Sequence, residues 1–251
     1  ASRGEFLNGK ILAEYLGYNF IDAADVIVFD TKGRFLLDET VKLTRQKLRG
    51  LENAVIPGFY GKTTEGIIKT FSRGGSDVTG SIIANAVNAE IYENWTDVSG
   101  FLIADPRIVD SPDAIETITY RELRELAYMG ASVLHEDAIF PVRSAGIPIN
   151  IRNTNKPEDA GTMIVSNDYD FSRESLGHTI TGIAGKKGFS TINIEKAMMN
   201  NEIGFGMKVL NVLYNNGISF EHMPSGIDTM SITVDSSKLE PVREKVLAEI
   251  R

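Results

Sequence analysis

The stretch Ser72-Arg73-Gly74-Gly75-Ser76-Asp77 decides the fold, because it joins a β-type run to a helix through a glycine-rich turn. Residues 67–71 before it form a short apolar run, and residues 77–88 after it carry apolar side chains at helical spacing. A second β-rich run follows at residues 91–95. Strand, glycine-rich turn and helix in alternation are typical of α/β proteins. We therefore predict an α/β fold for this part of the chain.

The same stretch is a candidate anion site. Two glycines let the backbone approach a ligand closely, and a helix N-terminus presents N–H groups that lack intrahelical partners. With the Arg73 guanidinium beside them, these groups suit a carboxylate or a phosphate. The alternative is an ordinary turn in which Ser76 caps the helix and Asp77 complements its dipole. The local pattern leaves both interpretations open.

Composition excludes several classes of protein and site. The chain has 251 residues, 34 acidic against 26 basic side chains, a net charge of −8 and no cysteine. The negative charge argues against nucleic-acid binding as the main function, and the lack of cysteine excludes disulfides and thiolate metal sites. No stretch approaches the roughly 18 apolar residues of a membrane span. We expect a cytoplasmic protein without a signal peptide, a metal site of its own, or a nucleic-acid or membrane partner.

Two further segments and one helix residue are candidate ligand sites. Trp95-Thr96-Asp97-Val98-Ser99-Gly100 follows a predicted strand, and open α/β sheets bind ligands at the carboxyl ends of their strands. In Asp105-Pro106-Arg107 the guanidinium follows a proline-fixed turn and suits bidentate binding of a phosphate. The alternative for both segments is a solvated loop whose aspartates cap turns. Glu5 starts a predicted helix at residues 5–16, where it is either a ligand for an ammonium group or a residue favoured by the helix dipole.

A change in composition near residue 168 predicts two domains. The first domain comprises residues 1–168, and the second is a small α+β domain at residues 178–251. A polar linker at residues 169–177 joins them. Within the first domain we predict residues 58–66 as a loop, because they hold three glycines, and residues 148–152 as the last strand. Within the second we predict strands at 179–184, 190–195, 218–222 and 229–234, and helices at 206–215 and 239–250.

Several motifs together resemble the aspartate kinase family of amino acid kinases, and they follow its order and spacing over about 100 residues. They are Gly58-Phe59-Tyr60-Gly61, Ser72-Arg73-Gly74-Gly75-Ser76-Asp77, Trp95-Thr96-Asp97-Val98-Ser99-Gly100, Ala104-Asp105-Pro106-Arg107, Glu125-Leu126-Ala127-Tyr128-Met129-Gly130-Ala131, Val133-Leu134-His135 and Ile147-Pro148-Ile149. Residues 178–251 resemble the first of that family's two ACT-type sensing domains, with the order βαββαβ. The resemblance implies the C-terminal portion of a three-layer amino-acid-kinase sandwich, followed by a small α+β ACT-type domain.

The resemblance also implies a reaction, the transfer of the ATP γ-phosphoryl group to the side-chain carboxylate of L-aspartate, the first step of lysine, threonine and methionine biosynthesis. ATP is a co-substrate that Mg²⁺ accompanies, and no tightly bound cofactor is implied. An amino-acid effector, lysine or threonine, would act through the ACT-type domain, which would also form a homo-oligomer. The implied site residues are Glu5, Arg73, Gly74, Gly75, Ser76 and Asp77 for substrate; Thr96, Asp97, Leu102, Asp105, Pro106, Arg107 and Ser132 for nucleotide; and Gly204, Phe205, Gly206, Met207, Ser219, Phe220 and Glu221 for effector.

The chain departs from the family's pattern in several respects. The family's Lys-Phe-Gly-Gly segment, whose lysine stabilises the transferring phosphoryl group, and its second ACT-type domain do not occur in these 251 residues. No catalytic residue is therefore assigned, and we expect these residues alone to be nearly inactive. Leu102 stands where a tyrosine is usual near the base, and Ser132 where a lysine is usual. The alternatives are a kinase for another amino acid such as glutamate, and an inactive amino-acid-binding or regulatory fragment.

Overall fold

A computed structural model describes residues 2–72, 74–128, 136–171 and 180–251, without the side chains of residues 136–139. By its internal contacts the chain divides into two compact units, Ala1–Gly185 and Lys186–Arg251. Within the described residues, no helix is both long enough and apolar enough to cross a membrane.

The first unit alternates helices with short strands, which confirms the predicted α/β class. In chain order its elements are α1 (Ser2–Leu16), β1 (Asn19–Phe20), α2 (Ala23–Val26), β2 (Val28–Phe29), α3 (Leu37–Leu48), β3 (Ala54–Val55), β4 (Tyr60–Thr63), β5 (Ile68–Thr70), α4 (Gly75–Val87), β6 (Tyr92–Thr96), β7 (Thr117–Thr119), α5 (Tyr120–Tyr128), α6 (Glu136–Ser144), β8 (Ile149–Asn153) and β9 (Thr162–Val165).

These strands form one larger and two smaller sheets. The largest has the order β6-β8-β9-β7, in which β6 pairs with β8 in parallel, β8 with β9 antiparallel, and β9 with β7 in parallel. Strands β2, β4 and β5 form a second mixed sheet, and β1 pairs with β3 in parallel.

Helix α4 packs into the main core of this unit. Its Ile82 is fully buried in one cluster with Ile149 and Ile151 of β8 and Ile164 of β9. Helices α3 and α6 pack along α4. Because apolar side chains surround the body of α4, the position of its N-terminal turn is fixed by the core.

The second unit is a separate small α+β unit. Its elements are β10 (Phe189–Glu195), α7 (Phe205–Asn215), β11 (Phe220–His222), β12 (Thr229–Asp235), α8 (Ser236–Leu239) and α9 (Arg243–Ile250). The strands are antiparallel in the order β10-β12-β11. The unit has its own core, in which Leu213, Ile232 and Val246 are buried. With α8 and α9 counted as one broken helix, the order βαββα agrees with the first five elements of the predicted βαββαβ pattern.

Two predictions for the first unit are wrong. Residues 58–66 contain strand β4 and are not only a loop, because Gly61 lies against the preceding chain, where a Cβ would come within 2.4 Å of the Ile27 carbonyl oxygen. That glycine therefore serves close packing within a sheet rather than a turn. Residues 148–152 are not the last strand, because β9 follows them.

The predicted strand at 179–184 is also wrong as far as it is described. Residues 180–184 do not form a strand, and Thr179 lies outside the described residues. The segment instead belongs to the first unit, where the Ile183 N–H donates to the Ile103 carbonyl at 2.7 Å.

Candidate active site

Helix α4 begins without a side-chain cap. Gly74 is its N-cap, in the left-handed conformation at φ 54° and ψ 26°, and as a glycine it offers no side-chain cap to the first-turn amides. Ser76 is the second residue of the helix, so the alternative in which Ser76 caps the turn is wrong. The first-turn N–H groups have no intrahelical acceptors, and the helix dipole adds partial positive charge there. This end of α4 therefore suits an anion.

A loop lies directly on this helix start because two glycines permit it. A Cβ on Gly75 would lie 2.9 Å from Phe59 Cα, and a Cβ on Gly58 would lie 3.0 Å from Ser76 Cα. Phe59 has φ 72°, which is unusual for a bulky residue. Its N–H donates to Thr79 Oγ1 at 3.0 Å, which holds the strained backbone in place.

Helix α1 meets the same loop. A Cβ on Gly9 would lie 2.9 Å from Pro57 Cγ, so α1 lies directly on the residue before Gly58. Glu5 is exposed and precedes Gly9 by four residues, which places both on one face of the helix. The start of α4 and Gly9 of α1 thus both lie against residues 57–59, and Glu5 lies one turn before Gly9.

Asp77 is tied to strand β6. Its Oδ1 accepts a hydrogen bond from Asn94 Nδ2 at 3.0 Å, and its main-chain carbonyl accepts one from the Tyr92 hydroxyl at 3.2 Å. Asn94 Nδ2 also donates to the Tyr92 oxygen at 2.9 Å. Burial raises the pKa of Tyr92 to about 12, so its hydroxyl stays protonated at neutral pH. The sequence analysis missed Tyr92 and Asn94, although their alternation with Thr96 places all three on one face of β6.

The predicted nucleotide residues Thr96 and Asp97 lie at the carboxyl end of β6. The Thr96 carbonyl accepts hydrogen bonds from the Thr154 N–H at 2.9 Å and from its hydroxyl at 2.6 Å. The Thr96 hydroxyl donates to Asp97 Oδ1 at 3.3 Å, and Asp97 is exposed. This is the edge at which open α/β sheets bind ligands.

A buried hydroxyl helps to hold the base of the loop after β6. Thr162 Oγ1 accepts from the Phe101 N–H at 2.8 Å and donates to the Ile115 carbonyl at 2.6 Å. Leu102, the next residue, is exposed and forms an isolated β-bridge with Ala114. The base of the loop is therefore fixed while residues 105–110 lie farther out along it.

Arg107 is paired within its own loop. Its Nη2 lies 2.7 Å from Asp105 Oδ2 and its Nε 3.0 Å from Asp105 Oδ1, while 86% of the Arg107 side chain is exposed. The hydrogen bonds from Arg107 lower the pKa of Asp105 to about 2. Pro106 is exposed between them. A phosphate bound by Arg107 would compete with the Asp105 carboxylate.

The predicted effector residues of the second unit lie on two elements. Gly204 is the N-cap of α7 at φ 77°, with no side-chain cap. Phe205, Gly206 and Met207 form the first turn of that helix, and Ser219, Phe220 and Glu221 lie at and on β11, all three exposed. Glu202, just before this turn, accepts hydrogen bonds from Lys196 and Lys208, which lower its pKa to about 2.

Some of the predicted site lies outside the described residues, namely Arg73 and Ser132. In the part of the chain that is described, no three His, Asp or Glu side chains form a group able to hold a metal ion.

The sequence matches a known protein family. Residues 1–153 match the model of the Amino acid kinase family. The chain belongs to that family. The match covers α1, the start of α4 and β6, and thus the elements that carry the candidate site in the first unit.

Several amino acid kinases are similar over nearly the whole chain. Aspartokinase 3 of Bacillus subtilis is 40% identical, over 96% of this chain and 54% of that protein. The crystal structure of Clostridium acetobutylicum aspartate kinase is 58% identical with a TM-score of 0.85, over 100% of this chain and 56% of that one. Aspartokinase III of Escherichia coli, solved with aspartate and ADP, shares the fold at 23% identity and a TM-score of 0.61.

These matches confirm the resemblance to aspartate kinases and the amino-acid-kinase fold followed by a further domain. The chain spans about half the length of the curated relatives it matches.

Proposed function

We propose that the protein containing these residues is an aspartate kinase, which transfers the γ-phosphoryl group of ATP to the side-chain carboxylate of L-aspartate. The observation that carries the proposal is the uncapped start of α4, joined through Asp77 to the strand that ends at Thr96 and Asp97. An anion subsite and a strand-end nucleotide subsite thereby adjoin. Aspartokinase relatives at 40% and 58% identity favour aspartate among the amino acids.

The amino-acid subsite has to position a nucleophile that is already ionised. A side-chain carboxylate has a pKa near 4, so it attacks the γ-phosphorus without a general base. Positioning and charge neutralisation then supply the rate. The N–H groups of residues 75–77 and Arg73 hold the substrate's α-carboxylate, Glu5 holds its ammonium group, and Asp77 lines the pocket.

The nucleotide subsite follows β6. Thr96, Asp97 and residues 102–107 hold the nucleotide, and Arg107 reaches a phosphate when it exchanges its Asp105 partner for the ligand. Mg²⁺ arrives with ATP, is held mainly by phosphate oxygens, and neutralises charge on the transferred group.

Regulation belongs to the second unit in this proposal. A lysine or threonine effector binds near the start of α7 and β11, and the unit self-associates through an edge strand of its sheet. In support, the 58%-identical C. acetobutylicum protein is described as an allosteric enzyme. The protein thus acts in the cytoplasm at the first, feedback-regulated step of lysine, threonine and methionine biosynthesis.

A substrate panel tests the proposal. The full-length protein is supplied with ATP, Mg²⁺ and either aspartate, glutamate or acetylglutamate, and ADP release is measured. We expect release that depends on aspartate. Phosphorylation of glutamate alone would establish a different amino acid kinase, and no turnover with any acceptor would leave a binding or regulatory role.

A further inference from the structure

Asn94 is an unexpected residue for its position. It is 8% exposed, and it is the only buried residue of β6. Such a strand position normally carries an apolar side chain, because a buried amide is costly unless it is hydrogen-bonded. Asn94 uses its amide nitrogen for two bonds, one to the Asp77 carboxylate and one to the Tyr92 hydroxyl.

The second of these bonds leads back to Asp77. The Tyr92 hydroxyl accepts from Asn94 and donates to the Asp77 carbonyl, so Asp77 is held by its side chain and by its backbone. Gly80 makes this approach possible, because a Cβ there would lie 2.5 Å from the Tyr92 oxygen. Two residues of one strand thus fix one residue in the first turn of α4.

The side-chain bond also sets a direction. A carboxylate held through Oδ1 presents Oδ2 with a defined orientation, and a hydrogen bond to a charged acceptor is stronger than one between neutral groups. Asn94 lies on the same face of β6 as Thr96, two residues farther on. The strand that leads to the nucleotide subsite therefore also orients a carboxylate of the amino-acid subsite.

We propose that Asn94 is a positioning residue, whose side-chain amide fixes the orientation of the Asp77 carboxylate toward the amino-acid substrate. This role rests on the proposed function, since it needs an amino-acid substrate beside Asp77. Asn94 does not itself touch the reacting atoms.

The test uses two replacements of Asn94 in the full-length protein. Asn94→Leu removes the donor but keeps the volume at a position that favours apolar side chains, so the midpoint of thermal unfolding should hold or rise. The KM for aspartate should nevertheless rise about 10- to 100-fold, as for loss of a hydrogen bond to a charged group. The KM for ATP should change less than about threefold. Asn94→Asp places a second carboxylate beside Asp77 and should raise the aspartate KM further, because like charges repel.

A matched control is Asn150→Leu on the neighbouring strand β8. Asn150 is equally buried at 8% exposed, and its Oδ1 has no hydrogen-bond partner among the described residues. This variant should leave the KM for aspartate within about threefold of the unchanged protein, well below the loss from a charged hydrogen bond.

Each outcome decides one question. If the unchanged protein phosphorylates aspartate but Asn94→Leu keeps its aspartate KM, or raises both KM values equally, Asn94 is only structural. If Asn94→Leu unfolds, the positioning role is tested by the aspartate KM of Asn94→Asp. An unchanged KM in that variant overturns the role. If the unchanged protein does not phosphorylate aspartate, the proposed function fails first and the role of Asn94 fails with it.

Discussion

Gly75 and Gly58 show that single residues in this site are set by what lies within 3 Å of them. Neither glycine has the positive φ that usually explains a glycine. Each is required because the 57–59 loop and the start of α4 occupy the space of a side chain. A methyl group at either glycine would push the start of α4 away from the loop. It would thereby displace the candidate substrate residues Ser76 and Asp77.

We expect Gly75→Ala to lower the free energy of unfolding by about 1–3 kcal/mol, because the new Cβ meets Phe59 backbone rather than a movable side chain. Chemical denaturation of the 251-residue chain measures this. Gly4→Ala is the control, since nothing lies within 4 Å of a Cβ there and the residue is in helix α1. It should be neutral or stabilising by up to about 1 kcal/mol. Equal losses in both variants would contradict the packing explanation.

Asp105 carries a prediction about pH. Its pKa is lowered from 3.8 to about 2, chiefly by the Arg107 side chain. Because this pKa is lowered, Asp105 is ionised and paired with Arg107 above about pH 4. The ion pair is lost only as the pH falls through about 2. Carbon-detected NMR should place the Asp105 midpoint near 2, and Arg107→Ala should move it back toward 3.8. Arg121→Ala, which removes an exposed arginine elsewhere, should not move it.

At the scale of elements, one buried hydroxyl joins three segments that are far apart in the chain. Thr162 of β9 holds the start of the loop at Phe101 and its end at Ile115. Its side chain is fully buried, so neither partner has water as a substitute. The base of the loop between Phe101 and Ile115 is therefore held on β9 by this hydroxyl.

We expect Thr162→Val to lower the free energy of unfolding by about 1–3 kcal/mol, because the buried Phe101 N–H loses its acceptor while the shape is kept. Urea denaturation measures the loss. Thr154→Val is the matched control, since Thr154 is exposed and its N–H still binds the Thr96 carbonyl. Its effect should stay within about 0.5 kcal/mol. A loss as large in the control would show that burial of the hydroxyl is not the cause.

The sequence predicted those elements whose local pattern is strong. Helices α1 and α4 were evident from apolar side chains at helical spacing, and strand β6 from its β-rich composition. Strand β4 was not, because Gly61 has the same appearance in a tight sheet contact as in a turn. Strands β7 and β9 were missed because they are short, and the partner of β7 is distant in the chain.

The candidate site divides in the same way. Ser76, Asp77, Thr96 and Asp97 are adjacent to local signals, a glycine-rich turn and a strand end. The bond between Asn94 and Asp77 spans 17 residues and depends on how α4 packs on β6. No local sequence pattern predicts a contact between residues so far apart in the chain. The single asparagine in a predicted strand could, however, have indicated a polar contact there.

At the scale of the whole molecule, the buried clusters of the two units share no residue among those that the structure describes. The clusters of the first unit lie within residues 21–164, and the cluster of the second within residues 192–246, counting fully buried members. Mutations that share no contacting residues usually have additive effects, so we expect a cavity in one cluster to act mainly on its own unit. The two units should therefore respond to mutation separately.

Leu213→Ala tests this separation. Leu213 is 1% exposed at the centre of the second core, and a cavity there should cost about 2–5 kcal/mol. Hydrogen exchange followed by mass spectrometry should show faster exchange of β10 and β12, while β6, β8 and β9 keep their protection. Ile164→Ala, in the core of the first unit, should give the opposite pattern. Faster exchange in both units after either change would contradict separate unfolding.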